Sequence, residues 1–247
     1  MAPETIIFLP GFMCDARLFG SQTEAFSKRG FDCRVGDLSN AATVERMASQ
    51  VIRQAPGRFA LVGLSMGGIV AFEIMRKAGH RVTHLAVLNT TARKDAAGPA
   101  RKTQMKRVVA GELSLVLREE LKPQYLAPQN RNREILDLLD DMGASLGEEA
   151  FVKQSMALSI RRDAFDVLET ITCPTLVLAG EDDRVCPVDR HAEIAARIPG
   201  AQLQVLEGCG HVSTLERPRD VTTALLDLVG SSPGKPCRHL NLVQNED

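Results

Sequence analysis

The chain has 247 residues, 44% hydrophobic and 25% charged, which suits one domain with a sizeable core and excludes a disordered chain, a fibre or a low-complexity scaffold. With 30 Lys+Arg against 31 Asp+Glu, the formal net charge is -1, so no global charge draws the chain to nucleic acid or an anionic membrane. Aromatic residues are 4%, with no Trp and one Tyr, which argues against a base-stacking platform.

Taken in order, short apolar runs alternate with amphipathic stretches. The pattern predicts a strand over 5–9, ended by Pro10-Gly11, and a helix over 17–29 closed by Gly30. A short strand follows over 31–35, then a helix over 43–54 with Thr43 as its N-cap and a stop at Pro56-Gly57. Residues 58–64 read as a buried strand, 66–77 as a helix closed by Gly79, and 82–88 as another strand. This rhythm predicts an α/β fold with a mainly parallel sheet covered by helices on both faces.

The rhythm breaks near Asn89. Residues 92–164 carry no good strand and read as helices interrupted at Gly111, Pro123, Pro128 and Gly143 to Gly147, a helical cap inserted into the core. The α/β pattern resumes with a strand over 175–179, a helix over 189–197, a strand over 202–206 and a helix over 219–229. The expected division is a discontinuous core, 1–91 and 165–230, a cap over 92–164 and a disordered polar tail over 231–247. The N-terminal residues lack the basic and apolar segments of a signal peptide, and no apolar stretch approaches the roughly 20 residues of a membrane span. Cysteines at 14, 33, 173, 186, 209 and 237 form no Cys-x-x-Cys pair, so they read as thiols in a reducing cytoplasm rather than zinc ligands or disulfides. No metal cluster, phosphate loop or cofactor motif is present in the pattern, and no oligomer interface can be read from it.

The sharpest chemical signal is Gly63-Leu64-Ser65-Met66-Gly67, a Gly-x-Ser-x-Gly between a predicted strand and a predicted helix. A nucleophile at so tight a turn has its hydroxyl exposed, and the helix N-terminus favours negative charge beside it. Of five histidines, His211 follows a strand and precedes the last helix, at the strand ends where sites in open α/β sheets gather. His84 reads as a strand residue, His191 as a helix residue and His239 as a tail residue, with packing or solvent roles. An orienting acid is available in Glu181-Asp182-Asp183, just past the strand over 175–179.

With these residues in place, the chain resembles the α/β-hydrolase superfamily, in particular its small bacterial esterase-like members with a helical cap. The resemblance spans residues 5 to about 229 and the order Ser, acid, His. It implies Ser65 as nucleophile, Asp183 (over Asp182) as acid and His211 as base. It also implies an oxyanion hole from the backbone N–H groups of Phe12 and Met66, in a loop where Pro10 replaces the family's usual His. Apolar cap residues, among them Tyr125 and above all Met105, Leu113, Leu126, Leu139 and Met156, are expected to line a substrate pocket. The expected activity is hydrolysis of a small-molecule carboxylic ester through an acyl-enzyme, without cofactor or metal. Alternatives on the same triad are a lactonase, a thioesterase, a C–C hydrolase or a lyase, and outside catalysis a small-molecule receptor. Dehalogenases and epoxide hydrolases are disfavoured, because those relatives carry Asp where this chain has Ser65.

Overall fold

A computed structural model describes residues 4–94, 98–130 and 132–230. Six strands form one all-parallel sheet: β1 (Thr5–Leu9), β2 (Asp32–Val35), β3 (Phe59–Leu64), β4 (Val82–Leu88), β5 (Thr175–Gly180) and β6 (Gln202–Leu206). Their order is β2-β1-β3-β4-β5-β6. The principal helices are α1 (Gly20–Ser27), α2 (Val44–Gln54), α3 (Met66–Ala78), α4 (Gly98–Val109), α5 (Arg133–Ile160), α6 (Val188–Arg197) and α7 (Pro218–Val229).

The strand pleat separates two cores. Ile7, Leu9, Phe59, Leu61, Leu85, Val87 and Val177 face α2, α3 and α6, whereas Ile6, Phe8, Val62, Leu64, Leu88 and Leu178 face α1 and α7. This two-sided cover is why β1 and β3 are buried at every position, while the edge strands β2 and β6 keep partly exposed positions. The chain leaves β1 toward the β2 edge and returns through β3 on the other side, so the loops after β1 and β3 diverge there. That divergence opens a crevice at the strand ends, where Phe12 and Ser65 stand.

Predicted and observed elements agree in type, with end shifts of one or two residues except at the second. There, residues 16–19 form a 3₁₀ turn before α1, with Asp15 capping the turn, and α1 ends at Ser27. Gly30 takes φ 86, the left-handed conformation expected just past a helix. Between β4 and β5 the chain is helical. Gly111 at φ 90 follows α4, and a π-helical turn (Val116–Leu121) leads into a 3₁₀ turn (Lys122–Gln124) around Pro123. Gly143 does not interrupt α5, which kinks only at Gly147, where φ is 78. Two one-turn helices, Phe165–Leu168 and Ser213–Glu216, carry no clear periodicity in so few residues. The expected tail over 231–247 lies outside the described residues. No helix among the described residues is long and apolar enough to cross a membrane.

The contact between α3 and β1 is the tightest constraint in the core. A Cβ placed on Gly67 would lie 1.9 Å from the Leu9 carbonyl oxygen. That atom is backbone on a central strand and cannot rotate away. Gly67→Ala is therefore expected to cost about 3 kcal/mol and lower Tm by about 6–12 °C. Gly20→Ala, with nothing within 4 Å of the added methyl, is expected to leave Tm unchanged or slightly raised. Thermal unfolding by circular dichroism checks the pair, and equal Tm values would contradict this packing.

Candidate active site

Ser65 sits between the last residue of β3 and the first of α3, at φ 55 and ψ -115. A non-glycine residue rarely holds that backbone, so its surroundings must enforce it. The Ser65 N–H donates to the Leu88 carbonyl at 2.9 Å, and its own carbonyl accepts from Thr90 Oγ1 at 2.7 Å and from the Gly68 N–H at 3.0 Å. These bonds, with the Gly67 contact below, fix the turn that presents the side chain.

The loop after β5 and the loop after β6 bring the other two polar groups together. A Cβ on Gly180 would lie 2.2 Å from the Gly210 carbonyl oxygen, so only glycine lets these loops touch. Asp183 then lies 2.8 and 3.0 Å from His211 Nδ1 through its two oxygens. His211 Nε2 lies 2.9 Å from Ser65 Oγ. With the carboxylate ionised, Nδ1 carries the proton and donates it to Asp183, leaving Nε2 to accept from the Ser65 hydroxyl. Burial works to raise the Asp183 carboxyl. The charge and hydrogen bond of His211, the Cys186 N–H and the Asn89 amide outweigh it and hold the group below the usual carboxylate range. Asp182 is more exposed and accepts from Gln129 Nε2 at 2.8 Å, so of the two neighbouring acids only Asp183 touches the imidazole.

Several supporting residues escape sequence reasoning. Asn89, at φ 48 just past β4, donates through Nδ2 to Asp183 at 3.0 Å and to the Gly210 carbonyl at 3.1 Å, and accepts from Ser213 Oγ. The break in rhythm marks its position, but nothing local shows its partners, 94 and 121 residues away. The buried His191 accepts from the Thr90 N–H at 2.9 Å and faces the Pro187 carbonyl at 3.2 Å. Burial lowers its pKa, which suits a neutral ring that props the turn beneath Ser65. Gln154, on α5, accepts from the Met13 N–H at 2.9 Å and anchors the loop that carries Phe12. The Tyr125 carbonyl accepts from the His211 N–H at 2.7 Å, and its ring packs 5.3 Å from the imidazole.

A cavity of about 500 Å³ opens over Ser65 and His211. Phe12 and Met66 line it, and no hydrogen bond among the described residues uses either backbone N–H. Leu121, Tyr125 and Leu158 line it as well. Of the apolar residues expected in the pocket, Met105, Leu113, Leu126, Leu139 and Met156 do not. Met105 and Leu113 pack onto the core, Leu126 and Leu139 are buried on the α1–α7 side, and Met156 is 46% exposed on the outer face of α5. Helical periodicity shows which residues are apolar but not which face of each helix meets the cavity.

Residues 6–224 match the alpha/beta hydrolase family. The chain belongs to that family. Among curated relatives, a pimeloyl-[acyl-carrier protein] methyl ester esterase from Aromatoleum aromaticum is 24% identical over 78% of this chain and 83% of its own. Among solved structures, a thermophilic esterase from Thermogutta terrifontis superposes with a TM-score of 0.84 at 28% identity, covering 93% of this chain and 90% of that one. An enol-lactonase from Burkholderia xenovorans LB400 shares the fold, with a TM-score of 0.82 at 21% identity over 93% and 92% of the two chains. This protein is accordingly a hydrolase.

One buried charge beside this site works against the fold. Lys122 is 1% exposed, its Nζ lies 5.3 Å from the Tyr125 ring centre, and it has no hydrogen-bond acceptor among the described residues. Burial lowers its pKa. A lysine whose folded pKa is depressed opposes folding while protonated, so its contribution improves as pH rises toward the ordinary lysine value of about 10.4. Lys122→Met keeps the apolar stem and removes the charge. It is expected to raise Tm at pH 7 by about 2–4 °C and to flatten the rise of stability between pH 7 and 10. Calorimetry across that range checks both effects, and a lower Tm in the variant would mean the ammonium is stabilised where it lies.

Proposed function

We propose that this hydrolase cleaves carboxylic esters by way of an acyl-enzyme on Ser65. The observation that carries the reading is the continuous chain from Ser65 Oγ through His211 to the buried Asp183, opening onto the cavity. In this scheme His211 Nε2 takes the Ser65 proton as Oγ attacks the ester carbonyl carbon. Negative charge builds on the carbonyl oxygen, where the Phe12 and Met66 N–H groups receive it, each worth roughly 10²–10³ in rate. His211 passes its proton to the leaving alkoxide, and the acyl group stays on Ser65. A water molecule, deprotonated by His211, then releases the acid and restores the serine. Asp183 keeps the imidazole in the tautomer that accepts from Ser65 and offsets the charge His211 acquires.

Two observations outside the chain of hydrogen bonds support this reading. The relatives include one named for a methyl ester and one named an esterase, and both match most of this chain. The elbow residue is Ser65, whose hydroxyl forms an acyl ester that water can cleave. We assign residues 1–91 and 165–230 to a catalytic core and 92–164 to a cap that shapes the pocket through Leu121, Tyr125 and Leu158. Cys14, Cys33, Cys173, Cys186 and Cys209 are free thiols, which suits a reducing compartment, and we place the protein in the cytoplasm.

Ser65→Ala is expected to fold normally and to lose p-nitrophenyl acetate turnover by roughly 10³-fold or more. Asp183→Asn is expected to fall by about 10³–10⁴, and Asp182→Asn by less than about threefold. Full activity in Ser65→Ala, or a larger loss from Asp182→Asn, would overturn the assignment. The cap supplies a second test. Leu158→Ala is expected to shift the ratio of long- to short-acyl kcat/KM by about fivefold or more. Leu139→Ala, buried away from the cavity, is expected to lower Tm with the ratio within about twofold. The reverse pattern would move the pocket to the other side of the cap.

A further inference from the structure

The lining of the active-site cavity is strongly one-sided in charge. Among the 21 described residues that line it are Arg93, Lys94, Arg101, Arg161, Arg184 and Arg190, with no Asp or Glu among them. The chain as a whole is balanced, so about two or three residues of each sign would be expected in a patch that size. The six cations come from four segments: the loop after β4, helix α4, the residue just past α5, and the stretch after Asp183 that enters α6. All six line the same cavity as Ser65 and His211.

Several of these cations are held in place by contacts within the protein. Arg93 holds Glu193 through two contacts of 2.9 and 3.2 Å, and Arg190 lies 3.5 Å from Asp189. Arg161 is oriented by the carbonyls of Arg93 and Leu158, at 3.2 and 2.9 Å. Arg101 stacks its guanidinium 5.6 Å from the centre of the Phe12 ring, in the loop that supplies an oxyanion donor. Lys94 and Arg184 are exposed and form no ion pair among the described residues. An uncharged acyl or alcohol group gains nothing from these charges, and a cationic one is repelled. A cleft walled by one sign of charge concentrates the opposite ion and speeds its arrival by about 10–10³-fold. Guanidinium groups add forked hydrogen bonds to an oxyanion.

We propose that the substrate is an anionic ester, one that carries a carboxylate or phosphate-like group on its acyl or alcohol part, held by this cationic lining while the ester carbonyl faces Ser65. The inference rests on the esterase reading above and names the substrate class of that site.

The test uses matched p-nitrophenyl esters of similar length: the glutarate half-ester (anionic), the pentanoate (neutral) and the 4-trimethylammoniobutyrate (cationic). On the alcohol side, 4-acetoxybenzoate is compared with its methyl ester. At low ionic strength, the anionic member of at least one pair is expected to exceed its neutral partner in kcat/KM by about tenfold, with the cation slowest. The gap is expected to shrink in 1 M NaCl, where the Debye length is about 3 Å. It is also expected to fall by threefold or more in Arg184→Gln, a variant that removes a charge without touching the three polar groups at Ser65. Inhibition by glutarate against 4-phosphonobutyrate ranks carboxylate against phosphate. Neutral esters turned over as fast as, or faster than, the anions in both pairs would overturn the inference and leave the esterase reading standing. If no ester is turned over, the esterase reading fails, and binding of the same compounds to Ser65→Ala, followed by calorimetric titration, decides the charge preference alone. Tighter binding of the anions upholds it, and equal or weaker binding overturns it.

Discussion

Ser65 stands in a backbone conformation that an L-residue rarely adopts, and much of the architecture serves to keep it there. The strain, of order 1–3 kcal/mol, is carried by the pressure of α3 on β1 at Gly67 and by hydrogen bonds from β4 and the loop beyond it. The two-sided sheet supplies the rigidity. A helix packed on only one face of a loose sheet could relax the turn and withdraw the hydroxyl. Here β3 and β4 are buried almost throughout, so the elbow has no inexpensive way to unwind.

The groups that face Ser65 are held by a second layer of polar contacts that are themselves buried. Asn89 joins the end of β4 to the Asp183 and His211 loops, and His191 supports Thr90, which in turn holds the Ser65 carbonyl. In low-dielectric surroundings such bonds are strong when complete and costly when broken. The carboxyl of Asp183 shows the balance: burial alone would favour its neutral form, and donors on several sides keep it ionised. Lys122 shows the opposite case a few residues from Tyr125, a buried cation with no acceptor among the described residues and a depressed pKa.

Most of the core and the positions of Ser65, Asp183 and His211 were legible in the sequence, because each rests on a local pattern. Buried parallel strands read as short apolar runs, the elbow needs glycines on both sides of the serine, and strand-end loops announce themselves by turn residues. The choice of Asp183 over Asp182 came from the resemblance, and it is the member of the pair that meets the imidazole. What escaped the sequence depends on contacts between distant segments. Asn89, His191 and Gln154 act through partners about 90 to 140 residues away. The pocket residues were misassigned for the same reason: Leu139 and Leu158 are both apolar positions of α5, and only its placement decides that Leu158 lines the cavity and Leu139 does not. The basic lining was equally hidden, since its six residues are scattered over about 100 positions and offset by acids elsewhere in the chain.

In the proposed mechanism one hydroxyl, at Ser65, is made reactive by His211 and opens onto a charged cavity. Its most direct test is reaction with limiting fluorophosphonate, followed by intact-mass analysis and peptide mapping. One covalent adduct is expected per chain, located on Ser65, with its rate of formation lowered by about 10³-fold or more in His211→Ala. An adduct on another residue, or an unchanged rate without the imidazole, would contradict it.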